Sequence, residues 1–213
     1  CKSFNARDIF ECGQCFRWNV QEDGSYTGIF EKNVLNIKQE PEGKILITGI
    51  CDGDIEEACR KYFDLDRDYE AIKEKLASID EYMQESIKYG EGIRILNQDL
   101  WEMIISFIVS ANNNIPRIKG IIDRMSKKYG TCIVFRGQEY YTFPTPEALA
   151  TASMEDLRAL GLGFRDTRVY ETTKIILENR LDLKKLKEEK DSMVVREKLL
   201  TLPGVGPKVA DCI

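Results

Sequence analysis

Near residue 52 the spacing of apolar residues changes from strand-like to helical, and the two halves of the chain must therefore fold by different rules. Upstream, four short runs rich in β-branched and aromatic residues occur at Phe16–Val20, Tyr26–Phe30, Val34–Lys38 and Lys44–Ile50. Turn signals separate them, at Gln21-Glu22-Asp23-Gly24, Glu31-Lys32-Asn33 and Pro41-Glu42-Gly43. Connections this short join antiparallel neighbours, so the runs predict a meander. Downstream, Asp54 and Asp68 are placed to cap helices reaching Phe63 and about Ser78. Leu100–Val109 is apolar on nearly every side, the pattern of a central buried helix. Asn114 can cap the next helix, with Ile115 and Pro116 in its first turn and Tyr129-Gly130 at its end. Further helical stretches are Ser153–Leu160, stopped by Gly161, then Arg165–Glu178 and Ser192–Thr201. The fold class expected is α+β: an antiparallel β domain over residues 1–52 and a helical domain over 53–213.

Composition narrows the chemistry. There is no histidine, which excludes Ser-His-Asp and Cys-His nucleophile pairs and leaves Lys, Asp/Glu, Cys or Tyr as catalytic groups. Seven scattered cysteines fit reduced thiols in an intracellular compartment better than a disulfide framework. Cys12-Gly13-Gln14-Cys15 is the one close pair, but zinc would want a second pair and thioredoxin chemistry a helix where Phe16–Val20 reads as extended. No apolar run approaches the ~18 residues of a membrane span, and residues 1–20 lack the design of a signal peptide, so no membrane partner is expected. The start at Cys1 implies that preceding residues are missing from the sequence.

The net charge of −5 argues mildly against nucleic acid. Its distribution argues the other way. Residues 1–100 carry 13 basic and 21 acidic side chains, whereas residues 101–213 carry 18 and 15. Within 111–130, Arg117, Lys119, Arg124, Lys127 and Lys128 face only Asp123. Basic groups gathered on one face can hold phosphate on an acidic protein, although a solvated helix face has the same composition.

The sharpest signal is Leu202-Pro203-Gly204-Val205-Gly206-Pro207-Lys208-Val209. A helix runs into a tight turn with two glycines, and Pro207 opens a second helix. Backbone N–H groups around Gly204, Gly206 and Val209 would then face outward as an anion site. Lys208 sits at its mouth, either pairing with phosphate or, with its charged form disfavoured by the helix dipole and desolvation, acting as an amine nucleophile.

This segment resembles the helix-hairpin-helix of base-excision DNA glycosylases, whose bifunctional members use the lysine of Gly-x-Lys as nucleophile. Two other stretches narrow the resemblance to 8-oxoguanine DNA glycosylase/AP lyases. Gly13-Gln14-Cys15-Phe16-Arg17-Trp18 is similar to that family's Gly-Gln-x-Phe-Arg-Trp segment, and Ser110-Ala111-Asn112-Asn113-Asn114-Ile115-Pro116-Arg117 to its triple-asparagine segment.

The resemblance implies a partner, double-stranded DNA containing 8-oxoguanine, and a role for each matching residue. Lys208 would be the catalytic nucleophile. The Gly13 carbonyl would accept the N7 hydrogen that distinguishes the lesion from guanine, and Cys212 would lie against the extruded base. Asn112 and Arg117 would fill the gap and touch the orphaned partner base, with Phe164 as the aromatic wedge. Gly204, Gly206 and Val209 would bind DNA phosphate, and the carbonyls of Leu200, Leu202 and Val205 match positions that hold a cation. Each has a plainer alternative. Gly13 can be a strand-entry turn, Asn112 a helix cap, Arg117 a solvated charge, Phe164 core and Cys212 a buried thiol.

No cofactor and no catalytic metal is implied, and the protein is expected to act as a monomer, in the cytoplasm or nucleoid of a prokaryote or the nucleus of a eukaryote. The family's catalytic aspartate falls beyond Ile213, so a C-terminal part is expected to be missing from this sequence, and Asp211 does not replace it by motif. The alternatives are a related helix-hairpin-helix glycosylase for another damaged base and a non-catalytic DNA-binding module.

Overall fold

The structure is a computed structural model describing residues 3–213. It is α+β, and it divides by packing into two units, with the boundary between Gln98 and Asp99 rather than at the change of period.

In the first unit, α1 (Ala6–Glu11) precedes an antiparallel sheet in the order β1 (Trp18–Val20), β2 (Tyr26–Phe30), β3 (Asn33–Gln39) and β4 (Ile45–Ile50). The register pairs Trp18 with Gly28 and Tyr26 with Ile37. Gly28 has a steric cause: a Cβ there would run into the Trp18 indole. Freed of that clash, the indole is 1% exposed and stacks on Phe10 at 4.1 Å between centroids. Its Nε1 donates to Tyr62 Oη at 3.0 Å, so the ring's polar atom is satisfied inside an aromatic core.

Tyr62 belongs to α2 (Ile55–Tyr62), capped by Asp54, and it stacks on Phe30 at 3.9 Å. Phe63, directly after it, is fully buried beside Phe4 and Phe10. The sheet thus completes its core with helical residues from beyond position 52, which is why the period change and the packing boundary do not coincide. Arg94 seals the unit from within. At 4% exposed, it donates to the carbonyls of Ser3 (2.8 Å) and Asp64 (2.7 Å). Two further helices, α3 (Tyr69–Ala77) and α4 (Glu81–Tyr89), bury no residue.

The second unit is built on α5 (Leu100–Ser110), in which every residue from Trp101 to Val109 is buried. Asn114 caps α6 (Ile115–Tyr129), whose Ile118, Ile121, Ile122 and Met125 face inward while Arg117 and Lys127 stay exposed. A hairpin follows, β5 (Cys132–Phe135) and β6 (Gln138–Tyr141), which the helical reading of residues 53–213 did not foresee. Its turn residues Arg136 and Gly137 both have positive φ, the geometry a two-residue hairpin requires. Beyond it lie α7 (Pro146–Leu149), α8 (Met154–Ala159), α9 (Asp166–Leu177), α10 (Leu183–Glu188), α11 (Ser192–Leu200) and α12 (Pro207–Ala210). Ser153 and Asp156 form a reciprocal capping box on α8. No helix is long and apolar enough to cross a membrane among the described residues.

Candidate active site and DNA-binding elements

In the second unit, the α11–α12 connection turns through Gly204 at φ +84°, a conformation that favours glycine. Val205 N–H closes the turn on the Leu202 carbonyl at 3.1 Å, and Ala210 N–H bonds the Gly206 carbonyl at 2.9 Å. The N–H groups of Gly204, Gly206 and Val209 find no acceptor among the described residues, which leaves three backbone donors unused at this turn. The two helices are tied by Arg196 Nε donating to Asp211 Oδ1 at 2.6 Å, which engages Asp211 structurally. The Leu200 and Val205 carbonyls accept no hydrogen bond from any described residue, whereas that of Leu202 accepts one. No cluster of acidic or thiol side chains with metal-binding geometry occurs among the described residues.

Lys208 makes no hydrogen bond or ion pair with any described residue. Its side chain is exposed, so the desolvation anticipated from its position is not supplied within this unit. Cys212, four residues after Lys208, is exposed and lies in a stretch where Asp211 N–H bonds the Pro207 carbonyl at 3.0 Å and Ile213 N–H the Val209 carbonyl at 3.2 Å, the four-residue spacing of a helix.

The same unit holds the other two predicted elements. Asn112 is exposed at φ +51°, and the cap of α6 is Asn114, so Asn112 is not a helix cap. Asn113 Nδ2 donates to the Val109 carbonyl at 3.0 Å. Phe164 is 57% exposed in the short 3-10 turn Gly163–Arg165, which excludes the core alternative. Arginines organise this turn. Arg124 donates twice to the Leu160 carbonyl (2.9 and 2.8 Å), Arg117 reaches the Gly161 carbonyl at 3.4 Å, and Arg165 reaches the Leu162 carbonyl at 3.1 Å. Three consecutive carbonyls at the C-terminal end of α8 thus each face a guanidinium, where helix polarity favours positive charge.

Arg165 does more. At 2% exposed it also donates to Ala111 O (2.8 and 2.5 Å) and Asn112 O (2.7 Å), joining the asparagine turn to the Phe164 turn. Its pKa lies below the ordinary guanidinium value, first through burial and then through the charges of Arg117 and Arg168. Sequence reading missed this residue, because in sequence it is one more arginine at the start of a helix.

In the first unit, Gly13 has φ +89° and open space where a Cβ would stand. Its carbonyl accepts no hydrogen bond from the described residues. Gln14 holds the segment: its Nε2 donates to Ile9 O (3.0 Å) and Arg94 O (2.8 Å), and its Oε1 accepts from Leu96 N–H (2.9 Å). Cys12 Sγ lies 3.4 Å from Ile9 O and Cys15 is buried, both as free thiols.

Residues 1–104 match the 8-oxoguanine DNA glycosylase N-terminal domain, and residues 105–200 match the HhH-GPD superfamily of base excision DNA repair proteins. The N-glycosylase/DNA lyase of Saccharomyces cerevisiae is 31% identical over 97% of this chain, which spans 61% of the yeast protein. The 8-oxoguanine glycosylase/lyase of Clostridium acetobutylicum, in its apo form, superposes with a TM-score of 0.94 at 40% identity, over 99% of this chain and 73% of that one. The same bacterial enzyme in complex with double-stranded DNA containing cytosine opposite 8-oxoguanine gives a TM-score of 0.94 at 39% identity, over 99% and 72%. The chain belongs to the 8-oxoguanine DNA glycosylase/lyase family of helix-hairpin-helix base-excision repair proteins.

Proposed function

We propose that the protein excises 8-oxoguanine from duplex DNA and then cleaves the strand by β-elimination, with Lys208 as nucleophile. The observation that carries this reading is an unpaired, exposed lysine beside a hairpin whose Gly204, Gly206 and Val209 N–H groups lack acceptors. A phosphate on those donors holds the backbone while the damaged nucleotide is turned out of the stack. The Lys208 amine attacks C1′, the base departs, and opening of the sugar gives a Schiff base. Loss of a C2′ proton then expels the 3′-phosphate. The open Gly13 carbonyl is suited to accept the N7 hydrogen of the lesion. Normal guanine would oppose acceptor to acceptor there, at a cost of ~1–3 kcal/mol. Asn112 and Phe164 would occupy the emptied stack, Arg117 would contact the partner base, and exposed Cys212 would lie against the extruded one. Open carbonyls at Leu200 and Val205, with Leu202, would hold a cation against the hairpin phosphate. The free thiols fit a reducing compartment.

Borohydride reduction tests the reading. The full chain should be trapped covalently on 8-oxoguanine duplex and not on the undamaged duplex. Binding to both without trapping on either would leave a DNA-binding module; trapping on another lesion alone would reassign the substrate. A finer expectation concerns Arg117, which is exposed and whose guanidinium donates to the Gly161 carbonyl at 3.4 Å. Arg117→Ala should flatten the excision preference among the four opposite bases by ~10-fold or more and weaken total binding less, since phosphate contacts carry most of the affinity. Excision rates measured against each opposite base decide it, and an equal loss across all four would confine Arg117 to the backbone.

A further inference from the structure

Six arginines surround the Phe164 turn and the hairpin in the second unit, and five have a polar partner. Arg117, Arg124 and Arg165 donate to carbonyls, Arg158 is paired with Asp166, and Arg196 with Asp211. Arg168, in the first turn of α9, has none among the described residues. None of its nitrogens is both buried and unsatisfied, so its donors are open to solvent.

The position of this side chain is well defined nonetheless. Its stem lies along the hairpin: a Cβ on Gly204 would come within 2.5 Å of Arg168 Cδ and 3.3 Å of Nε. Its guanidinium carbon stands 5.2 Å from the centroid of the Phe164 ring, and Arg165 approaches the same ring at 4.4 Å. Arg168 therefore connects the two elements that grip and wedge the duplex. It does so as a planar, five-donor cation with no acceptor among the described residues, close to other cations. Arg165 and Arg168 approach one ring and neither has an ion pair among the described residues, so an anion would relieve their repulsion, and the guanidinium fork suits phosphate oxygens.

We propose that Arg168 binds a backbone phosphate of the DNA beside the one held by the hairpin, coupling the phosphate grip to the position of Phe164. This rests on the duplex-binding reading above. It also accounts for Gly204 a second time, since any side chain there would displace Arg168.

Arg168→Met keeps a stem against Gly204 but removes charge and donors. In the full chain, binding to undamaged duplex and to 8-oxoguanine duplex is followed by fluorescence anisotropy across salt concentration. The slope of log K against log salt should fall by about one unit. Affinity near 0.1 M salt should drop ~5–20-fold, to the same extent on both duplexes, with the thermal midpoint unchanged. Arg168→Lys should retain most of the slope. Parental slope and affinity in Arg168→Met would overturn the proposal, as would a loss seen in Arg168→Ala but not in Arg168→Met, which would make the role packing alone. A parent that binds duplex but is never trapped by borohydride sinks the catalytic reading, while the slope still decides the case of Arg168. A parent that binds no duplex sinks both.

Discussion

Lys208→Gln should abolish the borohydride-trapped adduct and slow strand cleavage by at least ~1,000-fold while duplex binding persists. The argument is structural as well as chemical. Lys208 has no partner among the described residues, so its amine can be removed without breaking a bond that holds the hairpin. The turn is kept by Ala210 N–H on Gly206 O and by the Arg196–Asp211 pair, neither of which involves the lysine side chain. The variant should therefore melt with the parent and still present the Gly204, Gly206 and Val209 N–H groups to phosphate. Only the covalent step should be lost, since glutamine can hydrogen-bond but cannot form a Schiff base. Gel-resolved trapping and single-turnover cleavage on 8-oxoguanine duplex measure this directly. An adduct that forms equally well on Lys208→Gln would assign the nucleophile to another residue.

The strands and capped helices were legible in the sequence because their signals are local. Asp54, Asp68 and Asn114 each accept a bond from the N–H three residues on, as their positions foretold. β2 occupies the expected run, while β1 begins at Trp18, two residues later than its pattern suggested. What failed depends on partners distant in sequence. The division of the chain was misplaced because Tyr62 and Phe63 pack into the sheet's aromatic core, and a change of period says nothing about which surfaces will meet. The β5–β6 hairpin escaped because its turn is Arg136-Gly137 rather than Asn-Gly or Asp-Gly, so the usual left-handed signal is present only at its second residue.

The site shows the same division. Gly204 and Gly206 announce themselves, because a tight turn ahead of a proline-led helix leaves few alternatives. Gly13, Asn112 and Phe164 could be singled out only by resemblance, and their own chemistry fitted a turn, a cap and core. The structure decides two of these: exposure takes Phe164 out of the core, and Asn114, not Asn112, caps α6. Arg165 and Arg168 were invisible, since a guanidinium that holds three carbonyls and one that holds nothing look alike in a sequence.

Arg165→Leu tests that hidden part of the site. The substitution fills much of the volume but strips the donors from the carbonyls of Ala111, Asn112 and Leu162 at a position only 2% exposed. Hydrogen bonds from a charged donor contribute ~1.5–3 kcal/mol each, but water can reach some of these carbonyls once the turns loosen, so the net loss should be about 3 kcal/mol. For a chain of this size that lowers the thermal midpoint by ~6–12 °C. The consequence for chemistry is separable from the loss of stability. Asn112 sits at φ +51°, a left-handed conformation that asparagine adopts more readily than other non-glycine residues, and the bond from Arg165 to its carbonyl helps to hold the turn in place. Once that bond is gone, the Asn112 turn should relax and Phe164 should lose its fixed relation to it. Single-turnover excision by the full chain, measured well below the variant's midpoint with saturating enzyme, should fall ~30–100-fold. Affinity for undamaged duplex should change little, because the hairpin donors are elsewhere. Arg165→Lys should recover charge but not the planar fork that spans three carbonyls, and should lie between the two. An Arg165→Leu protein that melts lower yet excises at the parental rate would mean that the arginine serves the fold alone and that Asn112 finds its place on the DNA without it.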